Sequence, residues 1–167
     1  MKRLWAPWRM QYILADKEEG CFVCRAFEAK DDREHLVLAR GGTCGVLMNR
    51  FPYSNGHLMI CPYRHVADLT DLDSEERIES MELLSRSLDA LRAVMYPQGF
   101  NIGINLGAVA GASLVEHLHT HIVPRWEGDT NFMPVTSDVK MIPQALEELW
   151  ELLHPVLNEE ADPPDGG

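Results

Sequence analysis

The chain has 167 residues, 46% of them hydrophobic and 25% charged, which suits one domain able to bury a core. Its net charge of −11 argues against nucleic acid as a partner, because broad binding needs a positive surface, yet a local concavity can still favour a small phosphorylated ligand. No apolar run is as long as a membrane span and no secretory stretch opens the chain, so a cytoplasmic protein with no membrane partner is expected.

In chain order, residues 1–20 read as an irregular arm carrying Trp5 and Trp8. The spacing predicts a short helix over 21–30, then two strands at 36–38 and 44–48 with Gly41-Gly42 turning between them. Residues 50–56 are rich in turn formers, and 57–61 form a third strand stopped by Pro62. The clearest helix runs from about 74 to 95. Ile78, Met81, Leu84, Leu88, Leu91 and Met95 recur every three or four positions, and Asp73 or Ser74 is a good N-cap. The acidic run 71–82 reads as a solvated helix face. A strand at 100–105, a Gly-rich loop at 107–111 and a strand at 118–123 follow. A last helix is predicted from Pro143 to about 157, with Leu146, Leu149, Trp150 and Leu153 inward, before a disordered tail at 159–167. Strands broken by one long helix and closed by another predict an α+β fold with a mainly antiparallel sheet, one domain over 1–158.

The informative segment is Glu116-His117-Leu118-His119-Thr120-His121-Ile122-Val123. Histidines at i, i+2 and i+4 of a strand share one face, while Leu118, Thr120 and Ile122 point to the other. A neutral imidazole is both a nucleophile and a proton carrier near physiological pH. Attack on phosphorus needs a nucleophile, stabilised phosphate oxygens and help for the leaving group, and a histidine row can serve all three without a catalytic metal. Backbone N–H groups of 107–113, Gly111 among them, could cradle phosphate, with Asn105 and Ser113 as neutral donors. A single histidine is more often structural. Three in alternation are hard to explain by packing, which leaves a metal site on the histidines as the competitor.

Cys21-Phe22-Val23-Cys24 has the two-residue gap of a zinc knuckle, and a tetrahedral site needs two further ligands. His65, after a strand end, and His117 are candidates. Zinc there would pin the N-terminal segment to the triad strand and leave His119 and His121 for chemistry. The bland alternative is a reduced, packed dithiol. Cys44 and Cys61 read as buried thiols, His57 as structural and His35 as a surface residue.

His117 to Val123 resembles the histidine-triad (HIT) signature, although Thr120 stands where relatives often have an apolar residue. The segment from Asn49 through Gly56-His57 to Pro62 is similar to the nucleoside-binding hairpin of the fragile-histidine-triad branch. Leu4-Trp5-Ala6-Pro7-Trp8-Arg9, the cysteine pair and Val123-Pro124-Arg125-Trp126 resemble bacterial relatives of diadenosine tetraphosphate phosphorylases.

The resemblance implies a HIT-like fold and a nucleotidyl transferase or hydrolase acting on mononucleotides and dinucleoside polyphosphates. His119 would be the nucleophile, forming a nucleotidyl-histidine, and His121 would contact the phosphate and assist the leaving group. Asn49 would hold the ribose, and Asn105 and Ser113 would contact phosphate. Leu47 and Phe22 would line the base pocket. Zinc would be bound by Cys21, Cys24, His65 and His117, as in the galactose-phosphate uridylyltransferase branch, and the chain would be a homodimer. Ala112 replaces the glutamine of many family hydrolases, and one extra residue separates Ser113 from His117. Both departures favour phosphate over water as acceptor. The alternative is a nucleotide-binding signalling module with weak phosphoramidase or hydrolase activity.

Overall fold

The structure, a computed structural model, describes residues 20–129 and 146–159. The expected N-terminal arm, Pro143 and all but the first residue of the expected tail lie outside them. Helix α1 (Phe22–Glu28) is followed by strands β1 (Val37–Arg40), β2 (Cys44–Met48) and β3 (Leu58–Pro62). Then come helix α2 (Ser74–Met95), strands β4 (Gly99–Ile104) and β5 (Thr120–Arg125), and helix α3 (Leu146–Asn158). The strands form one five-stranded antiparallel sheet in the order β1-β2-β3-β5-β4, so the α+β expectation holds.

Register assigns the two faces. Directly opposed residues on neighbouring strands share a face. Val46, Ile60, Leu58 and Ile122 therefore face α2 and α3 in the main core, together with Leu83, Leu91, Leu149 and Leu153. The other face carries the row Val37, Leu47, Met59, His121 and Gly103 across all five strands. Val37, Leu47, Met59 and Cys61 form a second apolar cluster there with Val23 and Ala26 of α1. One face thus supplies stability, and the other is a half-apolar floor on which the site lies.

Three expectations change. Helix α2 has the foreseen ends, closed by a capping box between Asp73 and Glu76. Its buried face, however, is Leu83, Leu84, Ser87, Ala90 and Leu91, while Ile78 and Met81 stay 61% and 62% exposed. The acidic run is not uniformly solvated. Glu76 is buried, gripped by Arg64 Nε and Nη2 at 2.7 and 2.6 Å. Glu79 accepts four bonds from the β1–β2 turn: the N–H groups of Gly42, Thr43 and Cys44 and the Thr43 hydroxyl. The last strand begins later than expected, at Thr120. The Leu118 N–H donates to Val66 O at 2.6 Å, so the segment before Thr120 is tied to the loop after β3 rather than to the ladder.

Gly56, just ahead of β3, has a φ of +74°, and a Cβ there would lie 2.7 Å from Met95 Sδ. Glycine is needed on both counts, and its contact with α2 seats the following residue, His57.

Candidate functional site

The three histidines of the triad are all buried, at 1%, 3% and 9% exposure for His117, His119 and His121. Each has one ring nitrogen committed to a bond that fixes its neutral tautomer.

His117 donates from Nε2–H to Pro62 O at 2.9 Å, which leaves Nδ1 as the lone-pair nitrogen. That nitrogen lies 3.3 Å from Cys21 Sγ, 3.5 Å from Cys24 Sγ and 3.3 Å from His65 Nδ1, and Cys24 Sγ is 3.3 Å from His65 Nδ1. All four ligand atoms lie within 4.8 Å of one another. A tetrahedral zinc ion, with Zn–S of about 2.3 Å and Zn–N of about 2.0–2.1 Å, has N···N and S···N edges of roughly 3.3–3.6 Å. The spacings fit that coordination. The chemistry of the donors fits as well. Burial and the neighbouring Cys21 push the Cys24 thiol up to about 11, so the group is uncharged until a cation is bound. Among the described residues this is the one cluster of at least three such side chains able to hold a metal, and it is the set expected from the sequence.

His119 donates from Nδ1–H to His117 O at 2.9 Å, so Nε2 carries the lone pair. Among the described residues no hydrogen bond engages that nitrogen. His117 therefore serves twice: its ring belongs to the cysteine cluster, and its carbonyl orients the next histidine.

His121 accepts at Nδ1 from His57 Nε2–H across 2.9 Å. His57 in turn accepts at Nδ1 from the Tyr53 N–H at 3.0 Å. With Nδ1 used as an acceptor, neutral His121 keeps its proton on Nε2. Burial, with a smaller contribution from His119, lowers the His121 pKa to about 4, so the ring is neutral at physiological pH. The rings of His119 and His121 meet edge to face, 4.7 Å between centroids. A lone-pair nitrogen and an N–H donor thus belong to adjacent imidazoles.

The remaining expected residues sit around this pair. Leu47 shares the face of His121 in the floor, and Phe22 is half-exposed at the start of α1. Asn105 follows Ile104, the β4 residue opposite Thr120 at the end of the ladder. The Gly-rich loop differs from expectation. The N–H groups of Ala110, Gly111 and Ala112 donate to Gly107 O, Ala108 O and Gly107 O within the loop, so they are not a preformed phosphate cradle. Ser113, just past them, is exposed. Asn49 lies at the end of β2, and its amide is engaged by His57 and by the Phe51 N–H.

Sequence reasoning read His57 as structural and gave Tyr53 no role of its own. The period of two places His57, Met59 and Cys61 on one face of β3, a usable signal, but only the pairing of β3 with β5 reveals that this face carries His121. The ring of Tyr53 lies over both imidazoles, 4.7 Å from His57 and 5.8 Å from His121.

An antiparallel sheet whose open face carries a buried histidine pair beside a cysteine–histidine cluster defines a class, the histidine-triad proteins. Comparison with known proteins agrees. Residues 31–128 match the family model described as "HIT domain". An AP-4-A phosphorylase of Mycobacterium tuberculosis is 41% identical over 161 residues, covering 92% of this chain and 83% of its own. Among solved structures, a Zn-bound histidine triad family protein of Mycobacterium smegmatis is similar with a TM-score of 0.63 and 26% identity, over 83% of this chain and 93% of its own. A Plasmodium falciparum diadenosine triphosphate hydrolase shares the fold, with a TM-score of 0.58 and 22% identity over 93% of this chain and 99% of its own. The chain belongs to the HIT domain family.

Proposed function

We propose that this enzyme transfers a nucleotidyl group from a dinucleoside polyphosphate through a covalent nucleotidyl-His119 intermediate, with phosphate or water as the acceptor. The observation that carries the reading is the His119 tautomer: Nδ1–H bound to a backbone carbonyl and Nε2 holding a lone pair. That nitrogen attacks the innermost phosphorus as the P–O bond to the distal phosphates breaks, and its electrons leave with the departing oxygen. A polyphosphate departs as a stable anion, so the Nε2–H of His121 has only to donate a hydrogen bond to the phosphate oxygens. The acceptor oxygen then attacks the same phosphorus as the P–Nε2 bond breaks; that electron pair returns to His119, and the acceptor's proton passes to solvent. The similarity to the phosphorylase over most of both chains supports the substrate class.

Asn49, Asn105 and Ser113 are assigned to the ribose and phosphates in this scheme, and Leu47 and Phe22 to the base; Gly111, whose N–H is engaged within its loop, would reach phosphate only if that bond opens. Zinc held by Cys21, Cys24, His65 and His117 supplies a rigid cross-link and takes no part in the chemistry. The exposed Ile78 and Met81 on α2 support a homodimer. Chromatography of products from diadenosine tetraphosphate, with and without orthophosphate, tests the reaction. ADP formed only with phosphate identifies a phosphorylase, and AMP formed without it a hydrolase. No product under either condition ends the proposal.

A further inference from the structure

The resemblance assigns Asn49 to the sugar, but its amide already has partners that bear on the chemistry. The Phe51 N–H donates to Oδ1 at 2.9 Å. Of the two ends of the amide side chain only the oxygen can accept from an N–H, so the other end is the NH2 group. That group lies 3.3 Å from His57 Nδ1. Two donors, Asn49 Nδ2 and the Tyr53 backbone N–H at 3.0 Å, therefore converge on one ring nitrogen. A nitrogen facing two N–H donors cannot carry a proton of its own without a clash of like partial charges. The His57 proton is forced onto Nε2, which donates to His121 Nδ1. The same exclusion passes one ring further, and the His121 proton is held at Nε2.

We propose that Asn49 is a positioning residue: through His57 it fixes which nitrogen of His121 presents a proton to the phosphate. The inference extends the reading of His121 given above. It assigns Asn49 an effect on turnover that persists when the sugar offers nothing to bind. Tyr53 supplies a second donor from its backbone, which no side-chain substitution removes, so loss of Asn49 weakens the constraint on His57 without abolishing it.

Two measurements test this, and the first needs no substrate. Long-range 1H–15N spectra of histidine-labelled protein, with signals assigned through His57→Gln and His121→Asn, report which nitrogen of each ring is protonated. In the wild type both rings show the Nε2–H form, and in Asn49→Ala the His57 signals move toward a mixture of tautomers. A wild-type His121 protonated at Nδ1, or His57 signals unchanged in Asn49→Ala, would overturn the proposal. The second measurement compares diadenosine tetraphosphate with its 2′,3′-dideoxy analogue. Asn49→Ala lowers kcat about tenfold on both, the weight of one lost hydrogen bond. An effect confined to KM and missing with the dideoxy analogue would make Asn49 a sugar ligand alone and overturn the proposal. If the wild type turns over neither compound, the enzymatic reading fails, and the tautomer spectra still decide this one.

Discussion

Two clusters flank His119, and they hold together in different ways. The cysteine cluster gathers side chains from three separate places: the start of α1, the loop after β3 and the approach to β5. Its four donor atoms have little to bind one another without a cation. The histidine pair on the other side is built within paired strands. His57 immediately precedes β3 and His121 stands on β5, the ladder between these strands aligns Met59 with His121, and neutral N–H donors fill each acceptor in turn. The lesson is that His119 is fixed by two independent means. A main-chain carbonyl anchored by the first cluster sets its ring, and the second cluster supplies the donor beside it.

The sharpest break of that comparison removes what lies between the clusters. His119→Ala should lower turnover at least about a thousandfold while nucleotide binding and both clusters survive, since a missing nucleophile cannot be replaced by its neighbours. Steady-state rates and equilibrium binding of a mononucleotide check this. Next comes the cation. Cys24→Ser should lose stoichiometric zinc, lower Tm by about 10 °C, corresponding to about 3 kcal/mol in a domain of this size, and misplace His119 through the His117 carbonyl. Metal analysis and thermal melts of the holoprotein decide it. Retention of a full equivalent of zinc would show that the cation sits elsewhere.

How much of this was legible in the sequence follows the same division. The cysteine cluster was readable because its elements announce themselves: a two-residue gap between cysteines, and histidines at the ends of predicted strands. The His117–His119–His121 row was readable from the period of two, and helix α2 from its repeat of three and four. The His57–His121 contact spans 64 positions, and nothing local links them. It exists because β5 inserts between β3 and β4, and sequence alone does not order the strands. Glu76 and Glu79 were misread for a related reason. Two acids among five on one helix look solvated until the Gly41–Gly42 turn and Arg64 fold onto them. Ile78 and Met81 fit the apolar repeat, but the sheet meets α2 along Leu83, Leu84 and Leu91 instead.

Acid should unsettle the histidine pair by a predictable amount. The pKa of His121 falls from 6.5 in the unfolded chain to about 4 in the folded one, chiefly through burial. Between those values the unfolded state binds the proton and the folded state does not. Stability is therefore full above about pH 6.5 and declines as pH falls toward 4, by about 3 kcal/mol at the end of the window. Urea unfolding across pH 4–7 measures the slope, and the difference from His121→Asn isolates this ring from the zinc ligands. Identical slopes for the two proteins would show that His121 is not held neutral.

The smallest expected effect lies at the edge of the cysteine cluster. Arg64 precedes His65 of the cysteine cluster, and its guanidinium grips buried Glu76 with two bonds while donating to Asp71 O at 2.9 Å. The hydrogen bonds from Arg64 outweigh burial and hold the Glu76 carboxyl below its usual range, so their contribution is present at neutral pH and is lost as pH falls through that lowered value. Glu76 also keeps the Asp73 N–H, which softens the loss of Arg64, and Arg64 itself is half-exposed, which screens the pair. Arg64→Met should therefore cost little stability at pH 7, less than any of the changes above. If the first cluster depends on its cation more than on its surroundings, this variant keeps its zinc and its turnover. Loss of zinc from Arg64→Met would mean instead that the loop carrying His65 is positioned by the ion pair, and that the two clusters are built more alike than their bonding suggests.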